Sequence, residues 1–161
     1  MSVAVVPEAS PQDRLRIIST ARSVALVGVS ANPIRSSNFV ATYLVRTPLR
    51  IYPVNPAYDE VLGLPCSPSL RDLPEAPDIV DVFRNPDAIP GVVEEAIEVG
   101  AKVVWLQLGL RHDEAARRAM EAGLEVVQDR CLKIEHARFS GKLHLAGFDT
   151  GVISSRRRLP L

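Results

Sequence analysis

The chain has 161 residues, a usual length for one compact domain, and 47% of them are hydrophobic, enough to form a core. Its 19 basic and 19 acidic residues cancel, which argues against a nucleic-acid binder that works through overall charge. No apolar stretch approaches the roughly 20 residues that span a bilayer, and two distant cysteines form neither a disulfide framework nor a zinc motif. We therefore expect a cytoplasmic protein with reduced thiols that binds neither nucleic acid nor membranes.

The apolar pattern predicts strands that alternate with helices. Ser10, Pro11 and Asp13 indicate the start of a helix that runs to about Ala21, with serine as the N-cap and an acid in the first turn. The other predicted elements are, in chain order, a strand at 24–29, a helix at 38–46, strands at 49–54 and 79–83, a helix at 86–99, a strand at 103–108, a helix at 113–122, a strand at 124–128 and a short helix at 131–138.

These elements predict a single α/β domain. Continuous apolar runs are typical of strands buried on both faces, and strands joined by helices of about ten residues indicate βαβ units. We predict one doubly wound Rossmann-type domain over residues 1–161, with about five parallel strands, helices on both faces and a core at about 15–138. Five prolines between residues 55 and 78 predict an irregular connection with at most a short helix. The tail at 141–161 is expected to be an edge strand, a dimer contact or a frayed end.

The stretch VALVGVSANPIRSS ends the first strand and leads into a helix. Open parallel sheets bind ligands outside the carboxyl ends of their strands, and a helix N-terminus favours phosphate. Gly28 permits close backbone approach, while Ser30, Ser36, Ser37 and Arg35 offer hydroxyl and guanidinium groups. The alternative is an ordinary polar loop with a solvated arginine.

The same region departs from the pattern of a nicotinamide dinucleotide site. A G-x-G-x-x-G motif requires two more glycines after Gly28, and VSANP follows instead. Such a site also has an acid at the end of the second strand, where this chain has Asn55 and Pro56. The sequence therefore predicts a Rossmann-type sheet whose phosphate-bearing ligand is not NAD.

Several stretches together resemble a known family. They are VALVGVSANPIRSS, IYPVNP, LGLPCSPSLRDLP, DIVDVFRNPDAIPGVVEEAIEVGAKVVWLQLGL and VVQDRCLKIEH, in this order over about residues 15–138. Their order and spacing resemble the small, single-domain CoA-binding proteins related to the CoA-binding domain of the succinyl-CoA synthetase α subunit. The resemblance implies that coenzyme A, or an acyl-CoA, lies across the carboxyl ends of the strands.

The resemblance also implies roles for particular residues. The implied cofactor-binding residues are Gly28, Val29, Ser30, Arg35 and Ser36 near the phosphates, Asn55 and Pro56 beside the adenosine half, Phe83, Arg84 and Asn85 after the third strand, and Gln107 and Gly109 after the fourth. Phe83 either packs on the ligand or belongs to the core, and Gln107 either binds the pantetheine amides or caps its strand. The synthetase has a lysine where this chain has Ala57 and Tyr58, so Arg35 or Arg84 would hold the 3′-phosphate.

No residue is predicted to be catalytic or to bind a metal. The phosphorylated histidine of the synthetase comes from a second domain, which this sequence does not contain. His112, His136 and His144 match no nucleophile or triad pattern, so we expect them on the surface or in loops. The glutamates of the helix at 86–99 are expected to form a solvated face.

The two cysteines differ in their neighbours in the sequence. Cys131 follows Asp129 and Arg130 at a predicted helix start, where its thiol pKa would be lowered. It either forms a mixed disulfide with CoA or is a small buried cysteine beside an Asp–Arg pair. Cys66 has no charged neighbour in sequence and is expected to be structural.

The leading hypothesis from the sequence is non-catalytic binding of CoA or an acyl-CoA. One alternative is an enzyme that acts on a CoA thioester or a nucleotide sugar with the help of a partner subunit. Another is an NAD(P)-linked redox sensor. The expected partners are the small molecule itself and either a second copy of the chain or an unidentified protein.

Overall fold

The computed structural model describes residues 5–139, which form a five-stranded sheet with helices on both faces and a small two-stranded ribbon. The elements are α1 (Pro11–Thr20), β1 (Ser23–Val27), α2 (Ser36–Leu44), β2 (Arg50–Val54), β3 (Glu60–Val61), β4 (Leu64–Pro65), β5 (Ile79–Val82), α3 (Ile89–Val99), β6 (Val103–Leu106), α4 (Asp113–Glu121), β7 (Glu125–Val127) and α5 (Leu132–Phe139), with 3-10 helices at Leu70–Asp72 and Pro86–Ala88. The predicted tail at 141–161 lies outside the described residues. None of the described helices has the length and apolar character needed to cross a membrane.

The sheet is parallel throughout, with the strand order β2-β1-β5-β6-β7. The chain leaves β1 for β2 on one side and then crosses to β5 on the other, so strand order reverses between β1 and β5. Val27 pairs with Val54 and with Val82, and Val82 pairs with Leu106. The loops that follow these four strands therefore start at the same level along one edge. This arrangement confirms the predicted doubly wound Rossmann-type fold.

Both faces of the sheet are buried because successive side chains point to opposite faces and helices cover each one. Ala25, Val80 and Val104 pack toward α3 and α4 on one face. Leu26 and Trp105 pack toward α1, α2 and α5 on the other. Burial of these side chains on both faces explains why the strands appear in the sequence as continuous apolar runs.

Local chemistry explains two helix boundaries, the predicted start of α1 and the end of α3. The Ser10 hydroxyl oxygen accepts the Asp13 N–H at 3.0 Å, and the Asp13 carboxylate accepts the Ser10 N–H at 3.4 Å. This reciprocal capping box, with Pro11 in the first turn, begins α1. Helix α3 ends at Gly100, whose φ of 81° is left-handed.

Several strands end earlier than predicted because the chain turns sharply at the carboxyl edge of the sheet. β1 ends at Val27 rather than at residue 29, since Gly28 has a φ of 88° that a strand does not accommodate. β6 ends at Leu106 rather than at residue 108, and the Leu110 N–H then donates to the Gln107 carbonyl at 2.8 Å in a turn. The residues just beyond the strands are thereby placed in loops.

The proline-rich connection after β2 contains more structure than predicted. Its short helix is present, but β3 and β4 also form an antiparallel ribbon that the sequence analysis did not anticipate. The Asn55 N–H donates to the Ser67 carbonyl at 2.9 Å, and the Ser67 N–H donates to the Pro53 carbonyl at 3.1 Å. The connection therefore folds back beside the end of β2. The predicted helix at 86–99 is likewise divided into a 3-10 turn followed by α3.

Candidate functional site

A cavity of about 710 Å³ opens at the carboxyl ends of β2, β1, β5 and β6, across the reversal of strand order. Its lining residues are Gly28, Ser30, Arg35, Ser36, Ser37, Asn55, Pro56, Tyr58, Phe83, Arg84, Asn85, Gln107, Leu108 and Leu110. Neighbouring strands are about 4.8 Å apart, so four strands extend the site over roughly 14 Å. The volume lies within the range of about 300–1,000 Å³ that is usual for small-molecule and cofactor sites.

Gly28 forms the floor of the cavity between β1 and β5. Its N–H donates to the Val54 carbonyl at 2.8 Å, which continues the pairing of the sheet for one residue. A Cβ atom at this position would lie 2.7 Å from Cδ of Arg84 and 3.2 Å from the carbonyl carbon of Phe83. The Arg84 side chain therefore crosses directly over Gly28, and only a residue without a side chain leaves room for it.

The loop after Gly28 is held by its own hydroxyl and amide groups. The Ser30 N–H donates to the Ser37 hydroxyl oxygen at 3.0 Å, and the Asn38 side-chain amide donates to the Ser30 carbonyl at 2.9 Å. The Ser30 hydroxyl oxygen accepts the Asn32 N–H at 3.0 Å and lies 3.4 Å from the Tyr58 hydroxyl. These contacts tie the loop to the start of α2 and give the cavity a preformed wall.

Helix α2 begins at the cavity with its N-terminus uncapped. The N-cap residue is Arg35, whose side chain makes no capping hydrogen bond, and the first turn contains no acid. Among the described residues, no side chain accepts a hydrogen bond from the N–H groups of Ser36 or Ser37. A nine-residue helix thus directs free N–H groups and its positive dipole end toward the cavity.

The end of β2 is fixed to the first loop through one side chain. The Asn55 amide nitrogen donates to the Val29 carbonyl at 2.9 Å, and its oxygen accepts the Ala57 N–H at 2.9 Å. Pro56 and Tyr58 follow on the cavity wall. Asn55 therefore positions this wall, and no carboxylate stands where a ribose-binding acid would be in a nicotinamide site.

The segment after β5 joins the core to the cavity. Phe83 is half-buried, packs against the core on the face of α1, α2 and α5, and also lines the cavity. Arg84 and Asn85 are exposed and line the cavity beside it. Asn85 is also the N-cap residue of the 3-10 helix before α3.

Gln107 lies at the end of β6 and links the cavity to a buried acid. Its side-chain nitrogen donates to Oδ1 of Asp81 at 2.6 Å. Asp81 sits inside β5 and is fully buried, and burial raises the pKa of its carboxyl well above the usual range. Leu108 and Leu110 add an apolar patch to this end of the cavity.

The charge of the cavity wall has one sign. Its lining residues include two arginines, Arg35 and Arg84, and no lysine, histidine, cysteine or acid. The neighbouring N-terminus of α2 adds to this positive potential. The wall is therefore suited to an anion, and guanidinium groups match phosphate oxygens in geometry as well as in charge.

The structure brings ten of the twelve predicted residues to this cavity. Val29 is fully buried in the core, and only its carbonyl contributes, by accepting the Asn55 amide. Gly109 lies outside the lining, and its N–H donates to the Asp129 carboxylate at 2.6 Å. Ser37, whose hydroxyl the sequence analysis offered to a phosphate, also lines the cavity, and the lining residues not predicted are Tyr58, Leu108 and Leu110. Each lies within three residues of a predicted one, so proximity in sequence is the signal that would have found them.

The two described histidines, His112 and His136, and both cysteines lie outside the cavity lining. His112 caps α4 by accepting the Ala115 N–H at 3.1 Å. His136 is buried on α5, with its Nδ1 atom 2.9 Å from the Tyr43 hydroxyl oxygen. The expectation of a surface or loop position is therefore wrong for His136. The predicted His144 lies outside the described residues. Among those described, no group of three or more His, Cys, Asp or Glu side chains is placed to hold a metal ion.

The two cysteines are both half-buried free thiols. Cys131 directly precedes α5 and packs against the core, as the structural alternative expected. The carboxylate of Asp129 binds the N–H of Gly109, so it holds the loop through the backbone rather than through Arg130. Cys66 packs beside Asn55, whose carbonyl lies 3.5 Å from its sulfur, and burial raises the pKa of its thiol.

The glutamates on α3 lie on a largely solvated face, as expected, and there they also pair with neighbouring segments. Glu94 pairs with Arg118 of α4 at 2.9 Å, and Glu98 pairs with Arg71 at 2.6 Å. Glu95 accepts the Leu70 N–H at 3.1 Å. These side chains fasten α3 to its neighbours and lie outside the cavity lining.

Several known proteins are similar to this chain in sequence or in structure. An uncharacterized protein of Bacillus subtilis, YneT, is 40% identical over 121 residues, which are 75% of this chain and 90% of that protein. A hypothetical protein of Pyrococcus horikoshii has a similar solved structure, with a TM-score of 0.81 and 40% identity over 88% of this chain and 99% of that one. ADP-forming acetate–CoA ligase I of Archaeoglobus fulgidus is 29% identical over 119 residues, but these are only 17% of its length.

The family model of the CoA binding domain matches residues 22–137. This range runs from just before β1 into α5 and includes every residue of the cavity lining. It also bears out the resemblance on which the sequence analysis relied. The chain belongs to the CoA binding domain family.

Proposed function

We propose that this protein binds coenzyme A or an acyl-CoA in the cavity at the carboxyl edge of its sheet, without catalysis of its own. The observation that carries the proposal is the cavity wall: two arginines and an uncapped helix N-terminus face one space, and no acid lines it. A phosphate-rich ligand is the natural occupant of such a wall. Membership of the CoA binding domain family favours CoA among phosphate-rich ligands.

The phosphates would lie near the middle of the cavity. Arg35 and the first turn of α2 approach from one side, and Arg84 crosses Gly28 from the other. Both arginines are exposed, which leaves their guanidinium groups available to a ligand. Because this chain lacks the lysine that the resemblance expected near Ala57, we assign the 3′-phosphate to one of these two arginines.

We infer a direction for CoA from the resemblance, which puts adenosine beside Asn55 and Pro56, and from the order of the strands. Asn55, Pro56 and Tyr58 at the β2 side would border the adenosine half. Gln107 and Leu108 at the β6 side, about 14 Å away by strand spacing, would border the pantetheine arm. Phe83 lies between them and contacts the ligand with the part of its ring that the core leaves open.

Binding without catalysis is favoured by the chemistry of the wall. Serines and a tyrosine line the cavity, but such hydroxyl groups need a neighbouring base to act in catalysis. The usual bases are histidine, a carboxylate or lysine, and cysteine is the nucleophile that reacts with the least help. The residues of the lining include none of these. Asp81, the acid that Gln107 contacts, is fully buried.

Isothermal titration calorimetry with purified protein tests the proposal. CoA, acetyl-CoA, dephospho-CoA, ADP, NAD and NADH are titrated into wild type, Arg35→Ala and Arg84→Ala. Removing a charge-assisted hydrogen bond should weaken CoA binding by about ten- to a hundredfold. Arg46→Ala makes the same charge change at an exposed position outside the cavity, and it should leave the affinity unchanged.

The variant that loses its preference for CoA over dephospho-CoA identifies the arginine that holds the 3′-phosphate. Binding of no CoA species at millimolar concentration would reject the proposal. Tight binding of NADH with no binding of CoA would support the redox-sensor alternative and contradict the argument from Asn55.

A second function, in which the chain provides the CoA site of a larger enzyme, is favoured by one observation. The matched segment of the Archaeoglobus ligase is 17% of that protein, so in that relative the similar region is joined to much more chain. Pull-down with tagged protein, followed by assay of the eluate for CoA–acid ligation with ATP, tests this alternative. Activity in the eluate that is lost with Arg35→Ala would support it.

A further inference from the structure

Asp81 is an acid in the centre of the sheet. It occupies the third position of β5, where its cross-strand neighbours are Leu26 and Trp105. It is fully buried on the face covered by α1, α2 and α5. One carboxyl oxygen, Oδ1, accepts the Gln107 amide at 2.6 Å, while Oδ2 has no partner among the described residues.

This arrangement lowers the stability of the fold. A buried polar atom without a hydrogen bond costs free energy, and an apolar residue would pack better between leucine and tryptophan. Burial also raises the pKa of the Asp81 carboxyl, which favours its neutral form and lessens the cost without removing it. A costly group directly beneath a ligand cavity points to a role in that cavity.

The single contact of Asp81 determines how Gln107 meets the cavity. A glutamine amide has a donating nitrogen and an accepting oxygen, and the two exchange places by rotation of the last side-chain bond. Here the nitrogen faces Asp81. No described residue donates to Oε1 of Gln107, and this atom is not among the buried atoms that lack a partner. Since Gln107 lines the cavity, its carbonyl oxygen is open to a bound molecule.

We propose that Asp81 is a positioning residue that holds Gln107 with its carbonyl oxygen toward the cavity, where it accepts a hydrogen bond from an amide N–H of the ligand. The inference rests on the proposed function, because CoA carries two secondary amides in the arm that would lie at the β6 side. It assigns Gln107 one of the two roles that the sequence left open. A ligand that presents an N–H at this point is favoured over one that presents only acceptors.

The comparison of two probes separates this inference from the proposed function. One probe is CoA, and the other is 3′-phosphoadenosine 5′-diphosphate, which is CoA without its pantetheine arm. Both are titrated by calorimetry into wild type, Asp81→Leu, Asp81→Asn and Gln107→Leu. Thermal unfolding of each protein is recorded in parallel.

Asp81→Leu has the same branching as aspartate but accepts no hydrogen bond. We expect it to bind CoA about three- to tenfold more weakly, the effect of one neutral hydrogen bond, while it binds the armless nucleotide as wild type does. Its melting temperature should equal or exceed that of wild type. Asp81→Asn keeps an acceptor of the same shape, so it should restore CoA affinity to within about twofold.

Gln107→Leu should show the same selective loss, and the double variant with Asp81→Leu should lose no more than either single one, since the acid acts through the amide. The inference would be overturned if a variant lost the same affinity for both probes, or if the losses of CoA affinity added up in the double variant. Unchanged CoA affinity in Gln107→Leu would also overturn it, a test that holds even if Asp81→Leu does not fold. If wild type binds neither probe, the proposed function itself fails.

Discussion

Substitution of Gly28 by alanine tests how the cavity floor is built. Gly28 has a φ of 88°, and an added Cβ atom would lie 2.7 Å from Cδ and 3.1 Å from Cγ of Arg84. The carbonyl carbon of Phe83 would be 3.2 Å away. The long Arg84 side chain can move aside, but its guanidinium group then leaves the position from which it would meet a phosphate. Gly28→Ala should therefore reduce both stability and CoA binding.

A matched control separates the stability cost of the left-handed backbone from the cost of displacing the Arg84 side chain. Gly100 has a φ of 81°, but a Cβ atom there would meet nothing within 4 Å. Gly100→Ala should lower the free energy of unfolding by about 1–2 kcal/mol, the cost of a left-handed alanine. Gly28→Ala should lower it by about 2–3 kcal/mol, because the displaced Arg84 side chain adds about 1 kcal/mol.

Urea denaturation gives the free energies of unfolding, and calorimetry gives the CoA affinities. CoA binding should fall about tenfold or more in Gly28→Ala, as in Arg84→Ala, and stay unchanged in Gly100→Ala. In the double variant of Gly28→Ala with Arg84→Ala, the stability cost should fall back toward that of Gly100→Ala. Equal costs for Gly28→Ala and Gly100→Ala, with normal CoA affinity in both, would refute the reasoning.

Three further predictions concern groups outside the cavity. Burial raises the pKa of the Cys66 thiol, so iodoacetamide should modify it more slowly at pH 8 in folded than in urea-unfolded protein; equal rates by mass spectrometry would contradict this. The hydrogen bond from Arg50 lowers the pKa of Glu75, so its contribution to stability is present above the ordinary value of 4.5 and is lost as the pH falls through the lower folded-state value. Glu75→Gln should therefore lose less stability than wild type in acid denaturation, and parallel pH profiles would exclude the effect. Arg14 and Glu135 form a buried ion pair at 2.6 Å. Arg14→Leu should lower the free energy of unfolding by about 3–5 kcal/mol because it leaves a buried charge without its partner. The double variant that also has Glu135→Leu should lower it by less. If urea denaturation shows a larger loss of unfolding free energy in the double variant than in Arg14→Leu, the unpaired charge is not the cause of the loss.

Much of the fold was predictable because its signals are local. The capping box of α1 joins Ser10 and Asp13, which are near neighbours in sequence. The end of α3 depends on the left-handed backbone of the single residue Gly100. The strands were predictable for a different reason, since burial on both faces leaves a continuous apolar run. The ribbon of β3 and β4 was missed because two pairs of residues give no measurable alternation, and their pairing depends on the connection folding back beside β2.

The loop after β1 was predictable in composition but not in arrangement. Gly28 followed by serines and Arg35 indicated a phosphate site from the sequence alone. That the Ser30 and Ser37 groups bind each other and tie the loop to α2 depends on how the loop folds. That Arg84 crosses Gly28 depends on the pairing of β1 with β5, which are more than 50 residues apart.

By itself the sequence determined the strand–helix alternation, the parallel sheet and the absence of a nicotinamide-type acid after β2, because each of these follows from residues close together in the chain. That α2 begins at Ser36 without a side-chain cap was seen only in the structure. Only the tertiary structure decided that Asp81 lies beneath Gln107. In the sequence this acid is one polar residue inside the run IVDVF, and nothing near it indicates a partner 26 positions away. The register of β5 against β6 joins the two side chains, and long-range strand pairing is set by the packing of the whole sheet.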